Sequence, residues 1–589
     1  MALTPGMIYL SRTIHKALFP PLLVVAVAYI FKTNFGITVP LFIIIPSCIF
    51  SLPIALSLSV RWLEFQARRE AAAHGAVLAP AVYSNVPFGL DIAKKVKHSF
   101  ENDFFLNHVF EWIQVYGPTF STGLFGEKRY FTVEPDHIKS ILATDFNNFA
   151  KGGVVKFQMQ ALFGDGVFNA DGDVWKFHRG MTRPFFSRDK ISHFDIFDRH
   201  TDEVLKQIKA RRAEGYPIDF QELILRFTLD SATEFLFGNN VRSLAEPLSY
   251  PPTSSQSQTK SGLANIFAKE FMLAQFQTVV RGRISTTWPL FEIMEDKVGV
   301  HMDAIRSIIQ PIIIDALEKK KSHQDSRGEI GAEEVDTLLN HLVNVTQDPQ
   351  VISDETLNIL LAGRDTTATT LTFAIYELSK HPKVVQRLRQ EILSIVGPTR
   401  RPTYDDIKDM RYLRAFLNEV LRLYPPVAIN VRESVHPTLW QSKTGGPPIY
   451  VPPKTRVAYS VFVMHRRKDL WGPDATSFDP DRFLDERLNK YLIPNPFIFL
   501  PFNGGPRICL GQQFAYNEMS FLVIRLLQQF SSIQLCQKES ISNPDELPSE
   551  HYKRSCGTDG TDEVRISTHI IIHVAGGLWV KMDSTHGHE

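Results

Sequence analysis

The stretch from Phe502 to Gly511 reads FNGGPRICLG, and it decides the fold. One cysteine stands in this glycine-rich loop, between an apolar run and a segment with helical spacing. The chain has only 4 cysteines, far apart and without a CxxC pair, so neither a disulfide framework nor a structural zinc site is expected. Cys509 therefore needs an explanation of its own.

A lone thiolate can serve as a nucleophile or as a metal ligand. A nucleophile would need a histidine base, for which His465 is the nearest upstream residue. A haem ligand makes other demands. Glycines let backbone N–H groups approach the sulfur, an aromatic side chain such as Phe502 shields it, and a nearby arginine such as Arg507 meets a haem propionate. The loop offers all three features.

The segment SDETLNILLAGRDTTATTLTFAIYELSKHP, from Ser353 to Pro382, predicts a long buried helix capped by its first residue and ended by its last. Its middle is unusual, because Gly363 costs about 1 kcal/mol relative to alanine in a helix. Asp365 and Thr366 follow at once, among several further threonines. A β-branched helix packed by its neighbours is one interpretation. A carboxylate beside a hydroxyl in a buried helix also suits proton relay to a bound ligand.

The segment NEVLRLYPPV places Glu419 and Arg422 at i and i+3, on one helical face. Most such pairs are solvated and weak, but the apolar neighbours indicate burial here. A buried pair usually recruits further partners, and Arg482 in SFDPDRF is available.

Two further arginines carry weaker signals. In WKFHR, Trp175 and Arg179 lie at i and i+4, an arrangement that is commonly a cation–π surface pair. Arg432 in NVRES indicates little by itself.

Composition limits the class of protein. The chain is 44% hydrophobic and 22% charged, which is typical of a globular protein. Its formal net charge of +1 offers no basic excess for phosphates, so a nucleic-acid partner is not expected.

The N-terminal region predicts a membrane anchor over residues 1–74. Residues 17–31 and 37–60 carry no charge, and the second stretch is long enough to cross a hydrocarbon core of about 30 Å. The first contains two prolines, so one span and two spans both stay open. Basic residues at both outer ends favour a hairpin with both ends cytosolic.

Residues 75–589 predict one large domain. The segments Pro247–Gly262 and Ser322–Glu334 read as loop insertions within it. Helical spacing dominates after Asp195, and short strands are expected near Pro448–Val463 and Arg565–Val580. The fold class is therefore mainly α with small β-sheets.

The cysteine loop resembles the haem-binding signature of the cytochrome P450 family, F-x-x-G-x-R-x-C-x-G. The matching residues are Phe502, Gly505, Arg507, Cys509 and Gly511. Glu419 and Arg422 resemble the family's E-x-x-R pair, which Arg482 completes as a structural triad. AGRDTT, from Ala362 to Thr367, resembles the distal oxygen-activating helix.

This resemblance implies a triangular, mainly helical prism around haem b. Cys509 would be the fifth iron ligand. Thr366 would hydrogen-bond the oxygen, Asp365 would help deliver its proton, and Gly363 would leave room for oxygen and substrate. Matching positions imply that the haem propionates bind Trp175, Arg179, Arg432 and Arg507.

The resemblance also implies partners and a location. Electrons would come from NADPH, indirectly, through a separate NADPH–cytochrome P450 reductase, and cytochrome b5 is a further candidate partner. The anchor would lie among membrane lipids of the endoplasmic reticulum, with the catalytic domain in the cytosol.

The strings LLAGRDTTATTLTF, NEVLRLYPPVAINVRES and FNGGPRICLGQQFA resemble fungal hydroxylases of n-alkanes and long-chain fatty acids. The implied reaction is hydroxylation of a small hydrophobic substrate at or near a chain terminus. The implied substrate pocket comprises Ala362, Gly363, Val427, Ala428 and Ile429. The insertion near Pro251–Ser261 bears on the substrate entrance.

Other functions stay open at this point. The substrate could be an aromatic or xenobiotic compound. The chain could be a haem-thiolate isomerase or dehydratase acting on lipid hydroperoxides, against which Asp365 and Thr366 speak because that chemistry needs no proton delivery. A non-catalytic haem sensor or carrier is the third alternative.

Overall fold

The computed structural model describes residues 3–124, 126–186, 194–238, 240–256, 262–325, 337–443, 445–555 and 557–584. The α-helices lie at Pro5–Phe35 (α1), Leu41–Ala73 (α2), Leu90–Asn102 (α3), Asn107–Tyr116 (α4), Pro135–Lys139 (α5), Gly153–Phe163 (α6), Gly172–Thr182 (α7), Asp195–Ala213 (α8), Phe220–Phe237 (α9), Leu263–Ile284 (α10), Gly299–Asp325 (α11), Leu338–Val345 (α12), Pro349–Lys380 (α13), Pro382–Ile395 (α14), Tyr404–Asp409 (α15), Arg411–Leu423 (α16), Val461–Met464 (α17), Lys468–Trp471 (α18), Gln512–Gln529 (α19), Gln537–Ser540 (α20) and Glu550–Lys553 (α21).

The strands are short and lie at Val77–Leu78 (β1), Thr119–Leu124 (β2), Glu127–Thr132 (β3), Phe149–Ala150 (β4), Ile218–Asp219 (β5), Ile429–Ser434 (β6), Thr438–Trp440 (β7), Ile449–Val451 (β8), Arg456–Ser460 (β9), Phe530–Leu535 (β10), Ile566–Thr568 (β11), Ile572–Val574 (β12) and Trp579–Ser584 (β13). The predicted mainly helical fold with small sheets is confirmed. Strands also occur in both regions where the sequence predicted them.

The largest sheet has five strands in the order β2-β3-β9-β6-β4. In it, β3 and β9 pair in parallel, and the other pairs are antiparallel. Two three-stranded sheets have the orders β1-β8-β7 and β10-β13-β5, and β11 and β12 form a hairpin. Most pairings in the larger sheets join distant parts of the chain, so the sheets tie the helical body together.

Helix α13 runs through the middle of the protein and packs against α9, α16 and α19. Its apolar residues with helical spacing are buried, as predicted. The predicted N-cap is wrong. Asp348, rather than Ser353, caps the helix by accepting from the N–H groups of Gln350 and Val351. Because Pro349 suits the first helical position, the helix starts five residues earlier than expected. It ends at Lys380, before Pro382.

Helices α1 and α2 are long and apolar enough to cross a membrane, and their most apolar windows contain no buried residue. They pack against each other, which supports membrane anchoring. Helix α1 continues through Pro20 and Pro21 and begins against the body of the protein, where the Gly6 N–H donates to the carbonyl of Glu292 at 3.1 Å.

The two predicted loop insertions, 247–262 and 322–334, differ in how far the structure agrees with the prediction of a loop. Residues 247–256 form neither helix nor strand, and residues 257–261 of the same insertion lie outside the described residues. In the second insertion, α11 continues to Asp325, so the prediction of a loop from Ser322 is wrong at its start. The remaining residues, 326–334, lie outside the described residues.

Candidate active site

A cavity of about 490 Å³ separates the middle of α13 from the cysteine loop. It is lined by most of the residues that the sequence singled out: Trp175, Arg179, Ala362, Gly363, Asp365, Thr366, Val427, Ile429, Arg432, Phe502, Arg507, Cys509 and Gly511. Gly505, Ala428 and the three residues of the predicted triad lie outside this lining. The structure therefore brings the sequence signals together around one space.

The cysteine loop is held by its own backbone. The N–H of Cys509 donates to the carbonyl of Phe502 at 3.0 Å. The N–H of Gly511 is directed at the sulfur and favours its ionised form. Gly505 has a φ of +66°, and an added Cβ would overlap the carbonyl oxygen of Leu142. Glycine is thus required at this position for a left-handed turn and for close packing against residue 142, rather than for approach to the sulfur.

The Cys509 side chain is exposed to the cavity, while the surrounding protein encloses it enough to raise the thiol pKa. A nucleophilic cysteine needs the opposite shift. His465 is also unsuitable as its base. Its Nε2 accepts from the N–H of Leu500 at 3.0 Å, its Nδ1 contacts the carbonyl of Arg422, and burial lowers its pKa to about 3. The cysteine is therefore better suited to ligate a metal that displaces its proton.

Six cations line the cavity, of which Arg129 and Arg456 are paired with Glu127. We call the other four the cation wall: Lys151, Arg179, Arg432 and Arg507. Among the described residues, the one ion pair that they form joins Arg507 to Asp171 at 3.0 Å. Burial, with the charge of Arg432, lowers the pKa of Arg507 to about 10, and burial also lowers that of Lys151. The wall holds more positive charge than its protein partners balance.

The polar contacts of the cation wall are mostly with backbone carbonyls. Arg179 donates to the carbonyl of Ile508 at 2.9 Å, and Arg432 to that of Val431 at 2.8 Å. Arg507 lies 4.6 Å from the ring centre of Trp175, and its buried Nε has no hydrogen-bond partner. A ligand that brings two carboxylates would supply the missing acceptors. Haem fits this cavity, because the thiol can ligate its iron and the cation wall can bind its two carboxylates.

The middle of α13 forms the opposite side of the cavity. An added Cβ at Gly363 would meet only Ala232, at 3.9 Å, so the space beside this residue belongs to the cavity. The Thr366 hydroxyl donates to the carbonyl of Ala362 at 2.6 Å. The Thr366 side chain also lines the cavity.

The Asp365 carboxylate is held from two sides. Gln275, on α10, donates to Oδ2 at 2.7 Å, and Arg364 donates to Oδ1 at 2.8 Å. Because Arg364 stands next to Asp365 in the same helix, Gln275 is the contact that links this carboxylate to another element. The carboxylate is thus fixed in place at the edge of the cavity.

The predicted triad lies behind the cavity, and we call it the buried triad: Glu419, Arg422 and Arg482. Arg422 donates to both Glu419 oxygens at 2.7 Å, and Arg482 approaches the same carboxylate at 3.5 Å. Arg482 makes closer contacts with Asp474, at 2.9 Å. Each side chain of the triad is at most 1% exposed.

A chain of hydrogen bonds joins the buried triad to the cysteine loop. Arg422 donates to the carbonyl of His465 at 2.8 Å, and the His465 ring accepts from the N–H of Leu500. Leu500 in turn accepts from the N–H of Asn503 at 3.1 Å, within the loop. The triad therefore determines where the backbone that precedes Cys509 lies.

The rest of the lining is largely apolar. Val427 and Ile429 face the cavity, whereas Ala428 is buried with its carbonyl bonded to Ser460. The turn between β11 and β12 adds Ile570 and Ile571. This composition suits an apolar substrate.

Sequence reasoning missed four residues at or beside the site. Lys151 belongs to the cation wall, Asp171 pairs with Arg507 of that wall, and Gln275 holds Asp365. The fourth, Glu518 on α19, is buried, and burial raises its pKa to about 8, although the nearby Thr367 and Ser231 hydroxyls favour the charged form. A carboxylate nine residues after the loop cysteine, in an otherwise apolar helix face, was the one signal that the sequence offered.

The fold is mainly helical, and its cavity contains one thiol and a cation wall suited to bind carboxylates. These features are those of a haem-thiolate protein. The chain belongs to the cytochrome P450 family, whose model matches residues 92–554.

Similar proteins come from fungi. The chain is 38% identical over 418 residues to cytochrome P450 52A3-A of Candida maltosa, an alignment that covers 69% of this chain and 76% of that protein. It is 37% identical over 426 residues to cytochrome P450 52A13 of Debaryomyces hansenii, covering 71% and 78%. It is 34% identical over 452 residues to cytochrome P450 monooxygenase himC of Aspergillus japonicus, covering 76% and 77%. The chain is accordingly an oxidoreductase of the monooxygenase type, and haem is its cofactor.

Proposed function

We propose that the protein binds haem b through Cys509 and hydroxylates a long-chain alkane or fatty acid at or near the chain terminus. The observation that carries this proposal is a single cavity with the thiol on one side, Asp365 and Thr366 on the other, and apolar walls between them. When bound, haem supplies the oxygen-activating chemistry, which thiolate ligation promotes by favouring O–O cleavage.

Cys509 would ligate the iron as a thiolate, and the Gly511 N–H would moderate its charge. The cation wall would bind the propionates and so orient the macrocycle, with Trp175 packed beside Arg507. The buried triad would act at a distance, because it holds the loop backbone through His465.

Proton delivery would use the residues that line α13. Asp365, held by Gln275, would supply protons to the Thr366 hydroxyl, which is positioned by its bond to Ala362. Glu518 would be a proton store. Its pKa of about 8 keeps the carboxyl protonated at neutral pH, and Thr367 connects it to the cavity lining.

The substrate class follows from the apolar walls and from the resemblance to fungal alkane and fatty-acid hydroxylases. Val427 and Ile429 would contact the substrate chain near α13, and Ile570 and Ile571 would contact it from the β11–β12 turn. Such surfaces stabilise a hydrocarbon by burial and offer few polar groups to a more functionalised molecule.

The anchor and the electron supply belong to the same proposal. Helices α1 and α2 would hold the enzyme in the endoplasmic reticulum membrane with the catalytic domain in the cytosol. There it would take electrons from NADPH through NADPH–cytochrome P450 reductase, with cytochrome b5 as a second donor. The flanking basic residues support this orientation.

The test is incubation of the full-length protein with reductase, NADPH and a mixture of alkanes and fatty acids, followed by product identification. We expect terminal or near-terminal alcohols that require both reductase and NADPH. A parallel incubation receives fatty-acid hydroperoxide and no reductase. Rearranged products from that incubation, without alcohols in the first, would contradict the proposal and identify an isomerase.

A further inference from the structure

A second cluster of ligating side chains lies outside the haem cavity. It comprises His98 on α3, Asp103 at the C-terminal end of α3, and His551 on α21. One ligand atom from each residue lies within 4.8 Å of the other two. The cluster joins two segments that are far apart in the sequence.

The geometry of the carboxylate is the main observation. Asp103 is only 8% exposed, and its buried Oδ1 accepts no hydrogen bond. Nevertheless, Nε2 of His551 lies 2.9 Å and Nε2 of His98 lies 3.9 Å from this oxygen. Short distances without hydrogen-bond geometry are expected of ligands that point at one common atom rather than at each other.

We propose that His98, Asp103 and His551 form a binding site for a divalent transition-metal ion, best suited to Zn²⁺. Two imidazoles and one carboxylate are borderline ligands that favour Zn²⁺ over Mg²⁺ or Ca²⁺, which prefer oxygen. Ligand atoms about 2.0–2.2 Å from zinc in a tetrahedron lie roughly 3.4 Å apart. The two distances to Oδ1 lie on either side of this value.

The surroundings hold the ligands in place. The Asn102 side chain lies 3.1 Å from Nδ1 of His98, which leaves Nε2 as the nitrogen that faces Asp103. The N–H of Phe104 donates to the Ser555 hydroxyl at 3.3 Å, so the ends of α3 and α21 are already joined. Both imidazoles are exposed, which gives a metal ion and its fourth, water ligand access to the site.

The site would tie α3 to the C-terminal part of the chain. The Arg565 side chain also donates to the carbonyl of Glu101, and β11 begins at the next residue, Ile566. The β11–β12 hairpin then brings Ile570 and Ile571 to the cavity. Zinc would therefore stabilise the segment that carries the β11–β12 hairpin, and so one side of the cavity, without contacting the haem or the substrate.

The test is titration of the full-length, haem-loaded protein with Zn²⁺ by calorimetry, after treatment with chelator and without a polyhistidine tag. We expect one saturable site and a Zn²⁺-dependent rise in unfolding temperature. His98→Gln and His551→Gln should each weaken Zn²⁺ binding at least tenfold. Their haem spectra should equal that of the wild type, which shows that the fold is retained.

The matched control removes two other histidines. His586 and His588 lie outside the described residues, and their HxH spacing could bind metal adventitiously. The His586→Gln/His588→Gln protein should keep the site, whereas the His98→Gln/His551→Gln protein should lose it. Absence of saturable binding, or equal binding by both double variants, would overturn the proposal.

Discussion

The buried triad and the cation wall are both rich in arginine, yet they balance charge in opposite ways. In the triad, Glu419 accepts two hydrogen bonds from Arg422, and Arg482 has Asp474 as a second partner. In the cation wall, the one ion pair among the described residues joins Arg507 to Asp171, and the Nε of Arg507 has no hydrogen-bond partner. Charge that the chain neutralises itself maintains the fold, whereas charge left unbalanced marks the place of a ligand.

The largest expected effect comes from breaking the balanced cluster. Glu419→Ala leaves two buried guanidinium groups without their shared carboxylate, which should cost about 3–5 kcal/mol. Because the triad holds the cysteine loop through His465, we expect little soluble, haem-loaded protein. The measurements are the haem-to-protein ratio and the thermal unfolding midpoint.

The control for that variant is Glu203→Ala, which removes an exposed ion pair with Lys206. Surface pairs contribute less than about 1 kcal/mol, so haem content should be unchanged. A stable, fully haem-loaded Glu419→Ala protein would show that the buried triad is not needed to hold the cysteine loop.

The second effect separates the two clusters directly. Arg507→Met removes a cation whose partners are few, so the apoprotein should be no less stable than wild type. Haem should dissociate from the variant about ten to a hundred times faster, because the loss of one hydrogen bond to a charged group has an effect of this size. Arg482→Met should do the reverse and lower the stability of the apoprotein. Haem transfer to apomyoglobin and chemical unfolding of the apoprotein measure the two quantities. Equal effects of both variants on haem dissociation and apoprotein stability would show that the buried triad and the cation wall do not differ in role.

This contrast also explains what the sequence could predict. The cysteine loop, the E-x-x-R pair and AGRDTT are local patterns. The structure places most residues of the loop and of AGRDTT on the cavity lining, and it buries the E-x-x-R pair. Lys151, Asp171 and Gln275 have no local pattern, because their roles come from contacts with residues more than 80 positions away. The N-cap at Asp348 was missed because Ser353 is an equally good cap by residue type, although Pro349 at the first helical position is a local signal for Asp348.

A third effect extends the comparison to carboxylates. Glu419 faces two guanidinium groups, whereas Glu518 has only neutral hydroxyls nearby, and burial raises the pKa of Glu518 to about 8. The folded protein therefore keeps a proton that the unfolded chain loses near its ordinary value of 4.5. Stability should fall with rising pH between these values, and the loss should be complete above pH 8.

Glu518→Gln should abolish that component, so the variant should gain in unfolding temperature over wild type from pH 6 to pH 8. If Glu518 stores a catalytic proton, the product formed per NADPH by wild type should also decline through about pH 8. Parallel pH curves for both proteins would show that Glu518 does not titrate in this range.

The smallest effect concerns Asp365, whose carboxylate is held by one neutral and one charged donor. Gln275→Leu removes the hydrogen bond from α10 to Asp365 and leaves Arg364 in place. We expect the product formed per NADPH to fall several-fold, with more reducing equivalents lost as peroxide, and substrate affinity to change little. Gln275→Asn is the conservative comparison, since its shorter amide keeps the polarity but not the reach. Unchanged coupling in the leucine variant would remove Gln275 from the site.

The central claim is that the sulfur of Cys509 is the iron ligand of this monooxygenase. The most direct measurement is X-ray absorption at the iron edge of the purified full-length protein, recorded for wild type and for Cys509→Ser. We expect one sulfur neighbour of the iron in the wild type and none in the variant. A first shell of nitrogen and oxygen alone in the wild type would contradict it.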